Sequence, residues 1–154
     1  MPQNRGKAFE KLIRDQIKQL PNTACERLND GMSGYINSSR NPSDFIVYKK
    51  PYMYYVECKS IHGASIPIQN FKQIDLMAER CTVDGVFGKF IVWFVTHQKT
   101  FWIDYKVVLG MQRMGYKSIN YNKLTDCAGV QEIPAVYKRV YGVYDFSKLI
   151  GGEL

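Results

Sequence analysis

Two acids and a lysine near the middle of the chain have the residue types that phosphodiester hydrolysis needs. Asp44 opens one predicted strand, and Glu57 and Lys59 close the next. Residues two apart on a strand point to the same face, roughly 7 Å from one another, so Glu57 and Lys59 share a face while Cys58 points to the other. With Asp44 arriving from the neighbouring strand, the three side chains form a minimal site for a metal ion and a water molecule. The spacing therefore favours a metal-dependent nuclease.

The expected metal is Mg²⁺, with Mn²⁺ as a substitute. Mg²⁺ prefers hard oxygen ligands at about 2.1 Å and keeps several waters, so two carboxylates on adjacent strands suit it. Asp44 and Glu57 are the predicted ligands, and the backbone carbonyl of Cys58 is a third. Lys59 supplies a cation that could orient the attacking water or stabilise the charge on phosphorus. The alternative is a surface ion pair between Glu57 and Lys59 without a catalytic role.

A predicted helix precedes these acids, capped by Asn4 and running to about residue 20. Its apolar residues make one stripe that is expected to bury against the sheet: Phe9, Leu12, Ile13, Ile17 and Leu20. Glu10 lies about 80° from the centre of that stripe, at the edge of the buried face, where its carboxylate could reach a shared site. A solvated helix acid is the alternative for Glu10. The outer face is assigned to Lys7, Arg14 and Lys18.

The remaining pattern predicts a mixed α/β sheet with helices packed on it, in the order helix, strand, strand, helix, strand, strand, helix. Residues 22–42 read mostly as a loop, with a short strand around Tyr35 as an alternative. The most strand-like run is 86–96, as expected of a central strand covered on both sides. The other predicted strands are 45–48, 54–57, 100–105 and 138–144, and the other helices are about 69–81 and 107–114.

Length and composition limit the function classes. The 154 residues suit a single domain, 1–154, and the net charge of +7 favours a polyanionic partner such as nucleic acid. The four cysteines have no spacing typical of a zinc site. No window approaches the roughly 18 apolar residues of a membrane span, and the first residues lack an apolar signal region, so we expect a soluble, cytoplasmic protein with no membrane partner.

Several ordered motifs resemble the RecU-type Holliday junction resolvases of bacteria and phages, a group within the Pro-Asp…(Asp/Glu)-x-Lys nucleases. The Asp44 and Glu57-Cys58-Lys59 set matches the superfamily motif. Residues 4–10 resemble the family's opening helix, whose glutamate joins the metal site. Further similar segments are 43–45, 66–74 and 115–119, namely Ser-Asp-Phe, Ile-Pro-Ile-Gln-Asn-Phe-Lys-Gln-Ile and Gly-Tyr-Lys-Ser-Ile. The resemblance covers most of the chain and implies a restriction-endonuclease-like fold, a mixed central sheet flanked by helices.

The resemblance also implies roles for individual residues. It makes Asp44 and Glu57 metal ligands, Lys59 the catalytic lysine, Glu10 a further acid and Gln73 a residue lining the site. It implies branched DNA, above all a four-way junction, as the substrate, and a homodimer, because a junction is cut by two symmetric nicks. The cations assigned to DNA binding are Arg5, Lys7, Arg40 and Lys72.

The chain departs from the family pattern at three places. Residue 43 is serine where the superfamily usually has proline, and Lys72 stands where a histidine is expected. The long stalk that RecU enzymes carry before the aspartate strand has only residues 22–42 in its place. Two alternatives to junction resolution therefore stay open: a nuclease of the same fold that acts on other branched or duplex DNA, and a catalytically silent DNA-binding module.

Overall fold

The computed structural model of the chain describes residues 4–29 and 41–153. Its helices are α1 (Arg5–Ile17), α2 (Ile74–Arg80), α3 (Tyr105–Arg113) and α4 (Tyr121–Leu124), with a 3₁₀ turn at Ile68–Asn70. Its strands are β1 (Ala24–Arg27), β2 (Phe45–Lys49), β3 (Tyr52–Ile61), β4 (Ser65–Pro67), β5 (Val86–Phe94), β6 (Lys99–Asp104), β7 (Ser118–Asn120), β8 (Val130–Glu132), β9 (Ala135–Lys138) and β10 (Tyr141–Tyr144). No helix among these residues combines the length and apolar character needed to cross a membrane.

Six strands form the central sheet in the order β1-β2-β3-β5-β6-β8. The β3–β5 pair is parallel and the other four pairs are antiparallel, so the sheet is mixed. β5 has a neighbour on each side, and its residues from Gly88 to Phe94 are all buried. A strand covered on both faces needs apolar side chains at consecutive positions, which is what the run around 86–96 predicted.

The two faces of the sheet bury two separate cores, because successive β5 side chains point to opposite sides. Ile91 and Trp93 pack with α1 through Phe9 and Ile13. The alternate β5 side chains point to the other face, where they pack with the 3₁₀ turn, α2 and α3. These side chains are Phe90, Val92 and Phe94. Helices thus flank the sheet on both sides, and the predicted fold class is confirmed.

The structure corrects several predicted elements. Residues 24–27, predicted as loop, form the edge strand β1, in which only Cys25 is buried, so no two-residue apolar alternation marks it. The predicted last strand 138–144 is a hairpin of β9 and β10 with its turn inside that range. The helix predicted at about 69–81 is a 3₁₀ turn followed by the shorter α2. The alternative strand around Tyr35 lies outside the described residues.

Candidate active site

The β2–β3 hairpin brings Asp44 against Glu57. Its register pairs Phe45 with Val56, so Asp44, the residue before β2, lies opposite Glu57 on β3. Two main-chain hydrogen bonds fix this position: Asp44 N–H donates to the Val56 carbonyl (3.1 Å), and Cys58 N–H donates to Asp44 Oδ2 (2.8 Å). The carboxylate is therefore held along β3.

Ser43, the residue before Asp44, is part of the same support. Its side chain is buried, and its hydroxyl donates to the Phe45 carbonyl at 2.9 Å. This bond spans Asp44 and restricts the backbone on both sides of it. Ser43 thus supplies by hydrogen bonding some of the rigidity that a proline ring would give.

Glu57 and Lys59 share one face of β3, as their spacing predicted, and they form the ion pair that was the alternative to a catalytic role, though with Glu57 buried rather than at the surface. Lys59 Nζ lies 3.4 Å from Glu57 Oε2, and Glu57 is only 6% exposed. That contact lacks hydrogen-bond geometry, and Oε2 has no hydrogen-bond partner within the described part of the chain. A buried carboxylate oxygen without a hydrogen bond is costly, so the ion pair alone does not satisfy Glu57.

Burial dominates the electrostatics of the two acids. It raises the pKa of Asp44 to about 7, with Glu57 and Glu10 adding to the rise while the Cys58 N–H and Lys59 oppose it. Burial likewise raises the pKa of Glu57, and Lys59 opposes that shift. Two dehydrated carboxylates facing one lysine carry more negative charge than their surroundings offset.

This donor set fits a hard divalent cation. Across residues 4–29 and 41–153, no three or more histidine, cysteine or acidic side chains converge as a metal-binding group. Mg²⁺ does not require such a group, since one or two protein carboxylates and several waters suffice. The unsatisfied Oε2 of Glu57 and the adjacent Asp44 carboxylate supply that pair. The roles of both acids, and of the Cys58 carbonyl as a third ligand, stay predictions.

Glu10 reaches this region from α1 but is already paired. Glu10 is buried, so the alternative that it is a solvated acid on the helix surface is wrong. Its Oε1 lies 3.4 Å from Arg14 Nε and 3.3 Å from Arg27 Nε. Arg14 was predicted on the outer face, yet its side chain is largely buried beside Glu10. The i, i+4 spacing from Glu10 could have indicated this pairing, whereas nothing local in the sequence points to Arg27.

Gln73 lies at the start of α2, on the sheet face that Glu57 shares. The ring of Phe71, two residues earlier, packs at 4.8 Å on Phe90, which is the register partner of Glu57 on β5. Gln73 is partly buried and Lys72 is exposed. The segment is thus on the predicted side of the sheet, and the contact of Gln73 with the site stays a prediction.

The start of α1 meets the loop after β3. The Arg5 guanidinium hydrogen-bonds the ring of His62, a histidine that the sequence left without a partner. Lys7 is exposed one turn into the same helix. The contact with His62 brings Arg5, a predicted DNA-binding cation, to the end of β3 at which Lys59 lies. Arg40, the remaining predicted cation, lies outside the described residues.

No protein-family model matches the chain, and no curated protein sequence matches it. The structure is similar to that of Hjc from Archaeoglobus fulgidus, a Holliday junction resolvase from an archaeal hyperthermophile. The TM-score is 0.56 at 12% sequence identity, and the match covers 76% of this chain and 89% of the resolvase. At this level of identity the likeness is one of fold. The chain therefore has the mixed-sheet fold of that resolvase.

Proposed function

We propose that the chain is a Mg²⁺-dependent endonuclease that resolves four-way DNA junctions by paired symmetric nicks. The pair of half-buried Asp44 and buried Glu57 carries this proposal, because burial disfavours the charged form of both acids and the Lys59 ion pair leaves Glu57 Oε2 without a hydrogen bond from any described residue, which a bound cation would relieve. The likeness in fold to a Holliday junction resolvase and the RecU-like motifs support the junction as substrate. A silent DNA-binding module would have no use for this pair.

Each residue of the hairpin has a distinct task in the proposed reaction. Asp44, Glu57 and the Cys58 carbonyl would hold Mg²⁺, which lowers the pKa of water and neutralises charge on the phosphoryl oxygens. The Cys58 N–H keeps the Asp44 carboxylate oriented at 2.8 Å. Lys59, beside Glu57, would orient the attacking water or stabilise the charge that builds on phosphorus.

Glu10 and Gln73 complete the proposed site from its two sides. Glu10 contributes a negative field that raises the pKa of Asp44, while Arg14 and Arg27 fix its carboxylate. It acts as the further acid that the family resemblance implies. Gln73 would contact the DNA strand or a bound water from the α2 side of the sheet.

Branched DNA is the proposed partner, and a homodimer is the proposed assembly. The net charge of +7 suits a polyanion. The proposed phosphate contacts are Arg5, Lys7, Arg40 and Lys72. A junction has two equivalent strands to cut, so two symmetric nicks are best supplied by two copies of one site. We infer that the enzyme acts in the cytoplasm of a bacterial cell or an infected host cell, where such DNA arises.

A second candidate substrate is a flap or duplex end. It is favoured by the short stretch 22–42, which stands where RecU enzymes have a long stalk. The chemistry would be unchanged, since the hairpin residues are the same. Only the DNA surface would differ.

A cleavage assay on matched substrates tests the proposal. The purified chain is incubated with a synthetic four-way junction and with a linear duplex of the same sequence, in Mg²⁺ and in excess chelator. We expect symmetric nicks in opposite strands of the junction that need Mg²⁺. Equal cutting of the duplex would contradict junction specificity, and no cutting of any DNA would contradict the nuclease.

Sedimentation with junction DNA should show two copies per junction; a single copy would contradict paired nicking.

A further inference from the structure

The C-terminal hairpin of β9 and β10 forms a two-stranded ribbon outside the central sheet. Its register pairs Val136 with Val143 and Lys138 with Tyr141. The connecting turn is Arg139 and Val140, and Arg139 has a φ of 63°. Hairpins with two-residue turns favour positive φ, so the turn is tight and the ribbon has a defined tip.

The inner face of the ribbon is fixed to the protein. The Gln16 side chain of α1 bonds its backbone twice: Tyr144 N–H donates to Gln16 Oε1 (2.8 Å), and Gln16 Nε2 donates to the Gly142 carbonyl (3.1 Å). The Thr100 hydroxyl lies 3.0 Å from the Tyr144 hydroxyl and 3.2 Å from that of Tyr137. The ribbon is therefore held in place before any partner binds.

The outer face of the ribbon is both apolar and basic. Val136 is 67% exposed, and its cross-strand partner Val143 is 51% exposed. With Val140, the ribbon holds three of the six exposed large apolar side chains in the described part of the chain. Lys138 and Arg139 are exposed beside them. Neither cation forms an ion pair with any described residue.

The base of the turn lies at the same end of the sheet as the candidate active site. The ring of Tyr141, the first residue after the turn, packs at 5.6 Å on Trp93. Trp93 is the register partner of Ser60, which follows Lys59 on β3. Lys59 itself is paired with Val92 and projects to the opposite face of the sheet from Trp93. The ribbon and the candidate site are thus at the same end of the sheet on opposite faces, and a branched DNA that contacts both must pass around this end.

We propose that the β9–β10 ribbon is a second DNA-contacting element that enters a groove of one junction arm through its Arg139-Val140 tip. The major groove of DNA is about 12 Å wide and admits a two-stranded β-ribbon. Lys138 and Arg139 then contact phosphates, and the outward valines contact sugars or thymine methyl groups. This inference rests on the proposed function, since it takes DNA to be the substrate.

Binding at several salt concentrations tests the ribbon contact. The full chain and Lys138→Gln/Arg139→Gln are titrated against a labelled four-way junction in chelator, so that no strand is cut. Losing two phosphate contacts should lower the slope of log K against log salt by about 1.8 and weaken binding at least fivefold. An unchanged slope would overturn the proposal.

The matched control is Lys50→Gln/Arg80→Gln, which removes one exposed lysine and one exposed arginine at the other end of the sheet. Lys50 lies in the β2–β3 turn, and Arg80 ends α2. We expect this control to change affinity by less than twofold at wild-type slope. Equal effects of the two pairs would show that net charge alone matters and would overturn the ribbon contact. Both variants should keep the wild-type circular dichroism spectrum.

A further variant separates DNA from a protein partner. Val136→Thr/Val143→Thr keeps β-branched side chains in the ribbon but makes its outer face polar. We expect its sedimentation to match that of the wild type. A fall in assembly size, with DNA binding unaffected by Lys138→Gln/Arg139→Gln, would mean that the face holds a second copy and would overturn the DNA contact.

The outcomes also separate this inference from the proposed nuclease. Wild-type protein that binds no DNA would overturn both. Protein that binds and nicks the junction, with the ribbon variant unimpaired, would overturn the ribbon contact alone. Binding that depends on the ribbon without any nicking would leave the ribbon contact standing and remove the nuclease.

Discussion

The protein contains two clusters that each combine an aspartate, a glutamate and a lysine, and the two clusters differ in which of these side chains is most buried. In the candidate active site the Glu57 side chain is 8% exposed and Lys59 is 27% exposed. In a second cluster on β5, β6 and the C-terminal segment, Lys89 is 7% exposed and both its acids, Asp104 and Glu153, are 22% exposed. Dehydration therefore falls on the acids in the first cluster and on the lysine in the second.

The second cluster satisfies its buried charge from within the protein. Lys89 Nζ lies 3.4 Å from Asp104 and 3.7 Å from Glu153, and it also faces the ring of Trp102 at 5.7 Å. The acids keep contact with water, so no further ligand is needed. Its task is to tie the C-terminal segment to the sheet. The first cluster has the reverse arrangement, and the proposed function assigns to its acids a cation from outside the chain.

The largest expected effect is the loss of nicking in Asp44→Asn. We expect the rate on a four-way junction to fall at least about 10³-fold, because the variant removes a charged ligand from the cation and leaves the hairpin shape intact. Single-turnover cleavage measures this. Asp104→Asn is the control from the second cluster and should keep more than half of the wild-type rate. Undiminished cutting by Asp44→Asn would remove Asp44 from the site.

A smaller loss is expected for Lys59→Met, which keeps the length of the side chain without its charge. The cleavage rate should fall about 10²-fold, as for the loss of one electrostatic contact to the transition state. Lys89→Met, measured at a temperature at which it is folded, should cut at close to the wild-type rate. Similar losses in both variants would mean that the two lysines do not differ in function.

The stability of the metal-free protein should depend on the protonation of Asp44. Burial raises its pKa to about 7, so the folded chain binds this proton more tightly than the unfolded chain. Its contribution to stability is complete below the ordinary carboxyl pKa and is lost as the pH rises through about 7. Between pH 5 and pH 7 in chelator, the free energy of unfolding should fall by on the order of 2 kcal/mol relative to Asp44→Asn. Urea titrations that run parallel for the two proteins would contradict the burial of Asp44.

The smallest expected effect is on stability in Lys89→Met. Its two acids lose their partner but stay partly hydrated, and the methionine side chain still packs on the Trp102 ring. The free energy of unfolding should fall by about 1 kcal/mol, less than for a fully buried pair. A loss above about 3 kcal/mol would show that Asp104 and Glu153 depend on the lysine more than their exposure indicates.

The sequence predicted the elements that follow a strong local pattern. The hairpin strands, the central strand and the α1 stripe all have apolar spacing that identifies their buried face. The two strands of the C-terminal ribbon were taken as one because its turn, Arg139-Val140, has neither glycine nor asparagine. The pairing of Glu10 with Arg27 depends on the position of β1, which lacks an alternating pattern. The first miss reflects a turn that lacks its usual residues, and the second reflects a tertiary contact that local spacing does not encode.

Binding of Mn²⁺, followed by electron paramagnetic resonance, tests most directly whether the acid pair of the first cluster is the cation site. Wild-type protein, Asp44→Asn and Asp104→Asn are titrated at the same pH. Asp104 is the N-cap of α3, and the Asp104→Asn control should keep this helix because asparagine is also a good N-cap residue. We predict that the wild type and Asp104→Asn bind Mn²⁺ equally and that Asp44→Asn loses the site. Equal binding by Asp44→Asn, or loss of binding in Asp104→Asn, would contradict the assignment.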